Sequence, residues 1–277
     1  MYIDCHAHIF FTAIPIEAID KDITGEIPTP SLDFITRMVF NAKKNGVDYI
    51  IGVISNPEDF ISYQSQLEFE DTIHVIGISR GNASKDHSQM ISLLQKEIEI
   101  QKPHGIGEIG LDYSYDFNNL NRQESISLKK KQQELFRKQI RIAKDLDVPI
   151  VVHAGYGSDK DIVEIIKQEQ AQDIGGQVHG YMSEKKSICE LLEMGFYFSF
   201  GYLHITEGDL RRVVEITPME QILTETDSPY HLMEAPKKFI LPEDVVFVTN
   251  EIASLKDVES EVFAHQVMRN AKDLFRF

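Results

Sequence analysis

The chain has 277 residues, with 44 Asp and Glu against 28 Lys and Arg, for a formal net charge of −16. That length and a hydrophobic fraction of 42% suit one α/β barrel with a large core, and they exclude disordered, collagen-like and disulfide-scaffold classes. The acidic balance disfavours unspecific nucleic-acid binding, which rests on Lys and Arg contacts to phosphate, but leaves a nucleic-acid substrate open where divalent cations supply local positive charge.

Short β-rich apolar runs alternate with longer helical patterns. Strands are predicted at Tyr2–Cys5, Val47–Val53, Ile73–Ile78, Gly105–Ile109, Pro149–His153, Gly176–His179, Phe196–Phe200 and Gln221–Thr224. Helices are predicted near Ser31–Asn45, Pro57–Glu70, His87–Gln101, Glu124–Asp147, Asp159–Gln170, Ser183–Met194 and Glu207–Thr217, with two more near Pro242–Leu255 and Glu259–Phe275. Strands alternating with helices predict parallel pairing. Runs such as Tyr49-Ile-Ile-Gly-Val-Ile and Ile150-Val-Val read as strands buried on both faces. The expected fold is a (β/α)8 TIM-type barrel, one domain over residues 1–277. A doubly wound open sheet is the alternative, weakened because no Gly-rich fingerprint follows the first strand. Two segments read as long loops at the C-terminal mouth, Ile14–Pro30 and Asp112–Asn121.

Cys5 and Cys189 are the two cysteines, too few for a disulfide framework. The start, Met1 to His8, lacks the basic and apolar regions of a secretory signal. No apolar run approaches the roughly 18 residues of a membrane span. The expected setting is reduced and cytoplasmic, with no membrane.

The first strand ends Asp4-Cys5-His6-Ala7-His8, and alternation puts Asp4, His6 and His8 on one side. Imidazole suits zinc and similar transition metals, although an isolated pair of this kind also reads as surface histidines. Further ionisable residues close later strands: Glu108 the fourth, His153 the fifth, His179 the sixth, and Asp227 just after the eighth. Ionisable groups at the C-terminal ends of barrel strands read as catalytic; any one of them alone reads as a satisfied polar group. Four imidazoles and two carboxylates are enough for two ions, with Glu108 bridging. Two such ions would activate a water and stabilise negative charge on the substrate. Asp227 is also the candidate general base.

The elements DCHAH, GEIGLDY, PIVVHAG, Val178-His179-Gly180-Tyr181 and ETDSPY resemble the TatD-related hydrolases of the amidohydrolase superfamily, in order from Asp4 to Phe275. The resemblance implies a TIM-type barrel and hydrolysis of phosphoester bonds, often as a Mg²⁺-dependent DNase. It implies one to three divalent ions, expected here as two per chain (Zn, Mg or Mn), with His6, His8 and Asp227 serving one and His153 and His179 the other. Where the wider superfamily bridges with a carboxylated lysine, Glu108 takes that place. The chain also departs from the family pattern. Family members carry an Arg shortly after the fifth-strand His, whereas here Ala154-Gly155-Tyr156 follows. The sixth-strand His is followed by Gly180-Tyr181-Met182, and ETDSPY by His231-Leu-Met-Glu rather than a basic stretch. The missing cations are of the kind that hold phosphates.

Other residues carry two readings each. Tyr113, Tyr115, Tyr181 and Tyr230 either stack on a base or pack loops. Asp112 and Glu225 either orient ligand histidines or bond within loops. Lys129, Lys130, Lys131, Arg137, Lys138 and Arg141 read as a solvated helix face before a nucleic-acid patch. Cys5 is expected as an inert core thiol. His204 is expected to reach the mouth, unlike the other unassigned histidines. The leading functional expectation is a metal-dependent hydrolase cleaving phosphodiesters, with DNA or another phosphoester as substrate. An ester, amide or lactone hydrolase is the second, and a non-catalytic metal- or partner-binding barrel the third.

Overall fold

The structure is a computed structural model, which describes residues 1–9, 14–15, 26–27, 32–56, 72–113, 120–181, 185–230, 232–233 and 238–277. The predicted helix at Pro57–Glu70 falls outside these residues, as does Tyr115.

Eight strands form one parallel sheet in sequential order. They are β1 (Tyr2–Ala7), β2 (Val47–Ile54), β3 (Thr72–Ile76), β4 (Gly105–Leu111), β5 (Ile150–Ala154), β6 (Gly176–His179), β7 (Tyr197–Phe200) and β8 (Ile222–Thr224). Their branched residues have neighbours on both faces. Ile50, Ile51, Val151, Val152 and Val178 are all buried, as central strands between a lumen and a helix layer must be. The first and last strands meet beyond the end of β8. Ala7 and Ser228 form a parallel bridge, His8 N–H donates to Ser228 O at 2.8 Å, and Asp227 N–H donates to His6 O at 2.9 Å. These bonds close the barrel at its C-terminal mouth. β1 runs two residues beyond its predicted end, because this pairing continues past Cys5.

The helices among the described residues are α1 (Leu32–Lys44), α2 (His87–Gln101), α3 (Arg122–Leu146), α4 (Asp159–Gln168), α5 (Lys185–Glu193), α6 (Tyr202–Thr206), α7 (Gly208–Ile216), α8 (Val245–Leu255) and α9 (Ser260–Phe275). α3 starts two residues before its predicted Glu124. Asn121 caps it, accepting from Gln123 and Glu124 N–H, and the Glu124 side chain accepts from Asn121 N–H in return. The segment expected as a loop after β1 contains a small antiparallel ribbon, Ile14–Pro15 on Glu26–Ile27. None of the described helices is long and apolar enough to cross a membrane.

The C-terminal part of the basic stretch of α3 is engaged in ion pairs. Arg137 and Arg141 reach Glu169 at 3.1 and 2.8 Å, and Lys138 reaches Glu134 at 3.0 Å. That is the solvated-face reading. Cys5 is fully buried, and burial pushes its thiol up, so it stays protonated and inert.

Candidate metal centre

His6 is the penultimate residue of β1 and His8 follows the strand into the mouth. His6 Nε2 and His8 Nε2 lie 3.2 Å apart. Asp4, two residues before His6 on the same side, is fully buried and ties the two ends of the barrel together. Its carboxylate accepts from Thr226 N–H at 3.0 Å and from Thr226 Oγ1 at 2.5 Å. This anchor leads directly to Asp227, whose backbone sits at φ 53°, a left-handed conformation that Asp tolerates. The turn aims the carboxylate inward, with Oδ1 at 3.6 Å from His6 Nε2 and 3.4 Å from His8 Nε2.

Glu108 stands where the β4–β5 register slips. Gly107 pairs with Val151 and Ile109 with Val152, so Glu108 is the extra residue of a bulge, a device that re-aims a side chain at a strand end. The flanking glycines are sterically required. A Cβ on Gly107 would lie 2.5 Å from Val151 Cβ, and one on Gly110 would lie 2.2 Å from His153 O. The bulge delivers the carboxylate between two imidazole pairs. Oε2 faces His8 Nε2 at 3.5 Å, while Oε1 faces His153 Nδ1 at 2.8 Å and His179 Nε2 at 3.1 Å. His153 and His179 are themselves 3.2 Å apart, and the His6 and His179 rings stack with centroids at 3.8 Å.

All six predicted residues therefore converge. Within 4.8 Å of one another lie the donor atoms of His6, His8 and Glu108, and likewise those of Glu108, His153 and His179. A third group joins His6 and His179 to Glu225. Burial would raise the Glu108 carboxyl, but the adjacent His179 and His153 outweigh it and hold it well below the usual carboxylate range. Burial, reinforced by His179, keeps the His6 ring neutral. His179 is pushed up despite its burial, by Glu108 first and then Glu225.

The donor set fits divalent cations. Ring nitrogens that face each other at 3.2 Å can satisfy one another through only one proton, and His6 Nδ1 is buried with no hydrogen-bond partner among the described residues. Nitrogen and carboxylate oxygen in this proportion suit zinc or a similar ion.

Asp112 and Glu225 both stand against ligand-type histidines. Asp112 Oδ2 is 3.4 Å from His153 Nε2. Glu225 accepts from Gly180 N–H at 2.9 Å and from Ser199 Oγ, and lies 3.8 Å from His179 Nδ1. Of the tyrosines, Tyr230 lines the mouth and packs edge-on to His8 at 4.7 Å. Tyr181 is fully buried against Phe198, and Tyr113 donates its hydroxyl to Asp161 at 2.7 Å. These two have packing roles. His204 does not reach the mouth. Its Nδ1 accepts from Gly201 N–H at 3.1 Å and its Nε2 lies 3.0 Å from Tyr181 O, so both ring nitrogens serve the backbone of α6 and its surroundings.

A cavity of about 360 Å³ opens over the cluster, lined by Tyr230, Ser55, Asn56, Ser79 and Arg80 as well as by the ligand-type residues. Arg80 escaped sequence reading because the segment Ile78-Ser-Arg-Gly carries no motif, and the pairing of β3 with β4 is what places it beside Glu108.

A family model, TatD related DNase, matches residues 3–276. The chain belongs to the TatD-related DNase family. Among curated relatives, the uncharacterized metal-dependent hydrolase YabD of Bacillus subtilis (strain 168) is 29% identical over 283 residues, covering 100% of this chain and 99% of that one. The crystal structure of the TatD homolog YJJV from Escherichia coli K12 superposes with a TM-score of 0.80 at 21% identity, over 100% of this chain and 98% of the other. A TatD family hydrolase from Entamoeba histolytica superposes with a TM-score of 0.77 at 18% identity, over 99% and 97%. The eight parallel strands are thus the TatD barrel.

Proposed function

We propose that this TatD-family chain is a metal-dependent phosphodiesterase acting on DNA. His6, His8 and Asp227 would hold one divalent ion, His153 and His179 would hold a second, and Glu108 would be shared between them. One observation supports the reading: one oxygen of a single buried carboxylate faces His8, whose ring stands beside His6, and the other oxygen faces both His153 and His179. Bound there, divalent ions would lower the pKa of a water and neutralise charge building on the phosphoryl oxygens.

The chain's own residues supply the rest. Asp227, with its side chain 16% exposed at the rim, receives the proton of the attacking water. Glu225 and Asp112 fix the ring orientations of His179 and His153. The bulge at Glu108 holds its carboxylate against movement, because Gly107 and Gly110 leave no slack beside β5. The name of the family model supports DNA as the substrate. The net charge of −16 and the absence of a cation in Ala154-Gly155-Tyr156 favour the second reading, an ester or amide hydrolase on the same site.

Metal-loaded protein incubated with single- and double-stranded DNA should release nucleotides, and a chelator should stop it. Asp227→Asn should lower kcat by about 10²- to 10⁴-fold. Turnover of an ester panel with no release from either DNA would replace the phosphodiesterase by the second reading.

A further inference from the structure

The cations expected after the fifth strand are missing, yet the mouth is not without one. We infer that Arg80 is the residue that grips the non-reacting oxygens of a substrate phosphoryl group, together with the polar wall of Ser55, Asn56 and Ser79, and so selects phosphate esters over neutral esters and amides. The inference rests on the phosphodiesterase reading of the same site.

Arg80 opens the short 3₁₀ turn Arg80–Asn82 that follows β3. Among the described residues lining the cavity it is the one permanently charged cation. Its Nη1 lies 3.6 Å from Glu108 Oε1 and its Nη2 lies 3.6 Å from Asp112 Oδ2. Both distances exceed those of an N–H···O hydrogen bond. The two carboxylates therefore steer the guanidinium without consuming its donors. A planar fork of five N–H groups matches phosphate oxygens in a way that an ammonium does not. In a chain of net charge −16, an anionic substrate needs such a local contact.

The placement is built rather than incidental. Two fully buried glutamines of α3 hold the backbone on either side of the pair. Gln139 accepts from Ile78 N–H at 2.7 Å and donates to Ile78 O at 2.9 Å, two residues before Arg80. Gln132 accepts from Asp112 N–H at 3.0 Å. On the polar wall, Asn82 Nδ2 donates to Asn56 Oδ1 at 3.1 Å and to Ser79 Oγ at 3.3 Å, which fixes the Asn56 amide.

Gly155 explains why the cation comes from β3 and not from β5. A Cβ on Gly155 would lie 2.4 Å from Asp112 Cγ. Any side chain there would displace Asp112, and with it the partner of Arg80. The carboxylate of Asp112 occupies the space that a side chain at position 155 would need, and draws in a cation from the end of the adjacent strand β3. The arrangement trades one source of positive charge for another.

The test is titration of inorganic phosphate into metal-loaded wild type, Arg80→Gln and Arg80→Lys, with the metal itself titrated into each. Arg80→Gln should bind phosphate about 10- to 100-fold more weakly while its metal affinity stays within about threefold. Arg80→Lys, which keeps the charge and loses the fork, should fall between and serves if Arg80→Gln does not fold. Phosphate affinity within twofold of wild type in either variant overturns the inference. So does a wild type that binds no phosphate, or a loss of phosphate affinity matched by a loss of metal. Nucleotide release by wild type is assayed in parallel. Its absence removes the phosphodiesterase reading, whereas release with Arg80-independent phosphate affinity removes only the role of Arg80.

Discussion

Replacing Glu108 by Gln keeps the volume of the side chain and removes its charge, and the geometry dictates an unusual pattern of loss. Glu108 Oε1 is 2.8 Å from His153 Nδ1 and 3.1 Å from His179 Nε2, while Oε2 is 3.5 Å from His8 Nε2. It is thus the shared member of two candidate triads. A charge-assisted contact contributes about 1.5–3 kcal/mol net, which is about 10- to 150-fold in affinity for each ion. Both ions should weaken together in Glu108→Gln. Asp227 approaches His6 and His8, at 3.6 and 3.4 Å, so Asp227→Asn should weaken the ion on that side more than the other. Calorimetric titration of zinc or manganese into chelator-stripped protein reads both stoichiometry and affinity. Two sites of wild-type affinity in Glu108→Gln would refute the bridging role. So would an identical pattern of loss in the two variants, because the shared carboxylate would then have no special position.

Gly107→Ala should lose about 1–3 kcal/mol of stability. Its Cβ would stand 2.5 Å from Val151 Cβ, roughly 1 Å inside ordinary carbon contact, between two paired backbones that cannot part. Thermal denaturation should show a Tm lower by about 2–12 °C. Glu225→Gln should leave the fold intact and reduce metal affinity about 10- to 100-fold, because the carboxylate that orients His179 against Gly180 N–H and Ser199 is gone; unchanged metal titration would remove that positioning role. His74 lies on β3 with its Nε2 3.1 Å from Gln101 O, and burial holds it below the ordinary histidine range. Between its folded and unfolded pKa values the unfolded chain binds more protons. The His74 contribution is therefore complete above about pH 6.5 and is lost as the pH falls, with a slope of at most about 1.4 kcal/mol per pH unit. Denaturant titrations of wild type and His74→Gln across pH 5 to 8 should show a shallower acid limb in the variant.

The order of the strands was readable because they are short apolar runs, several of which carry an ionisable residue at or near the C-terminal end. Alternation along Asp4-Cys5-His6-Ala7-His8 is a local property, and so is the end of Ile150-Val-Val-His. Those residues declare themselves without tertiary information, and the GEIG segment marks its bulge with glycines whose need for space is also local to one strand pair. Element bounds were less legible where a side chain decides them. The Asn121 cap starts α3 two residues earlier than its apolar periodicity suggests, and the helical pattern Glu207–Thr217 starts one residue late and is preceded by the separate α6.

The residues that remained illegible are those whose meaning depends on lateral distance. His204 and Arg80 both follow a strand in weakly marked sequence. One turns inward to bond Gly201 and Tyr181, and the other turns to the mouth beside Glu108. Nothing along the chain separates them, since the choice is made by neighbours 23 residues away in the first case and 28 and 32 in the second. The ligand types, their order and the alternation that presents them are properties of the chain as a string. Which carboxylate stands between which imidazoles was decided only when β8 met β1 and curvature brought the strand ends to one mouth. Sequence specifies what each strand carries, while closure of the barrel sets the distances across it, and electrostatic chemistry depends on distance.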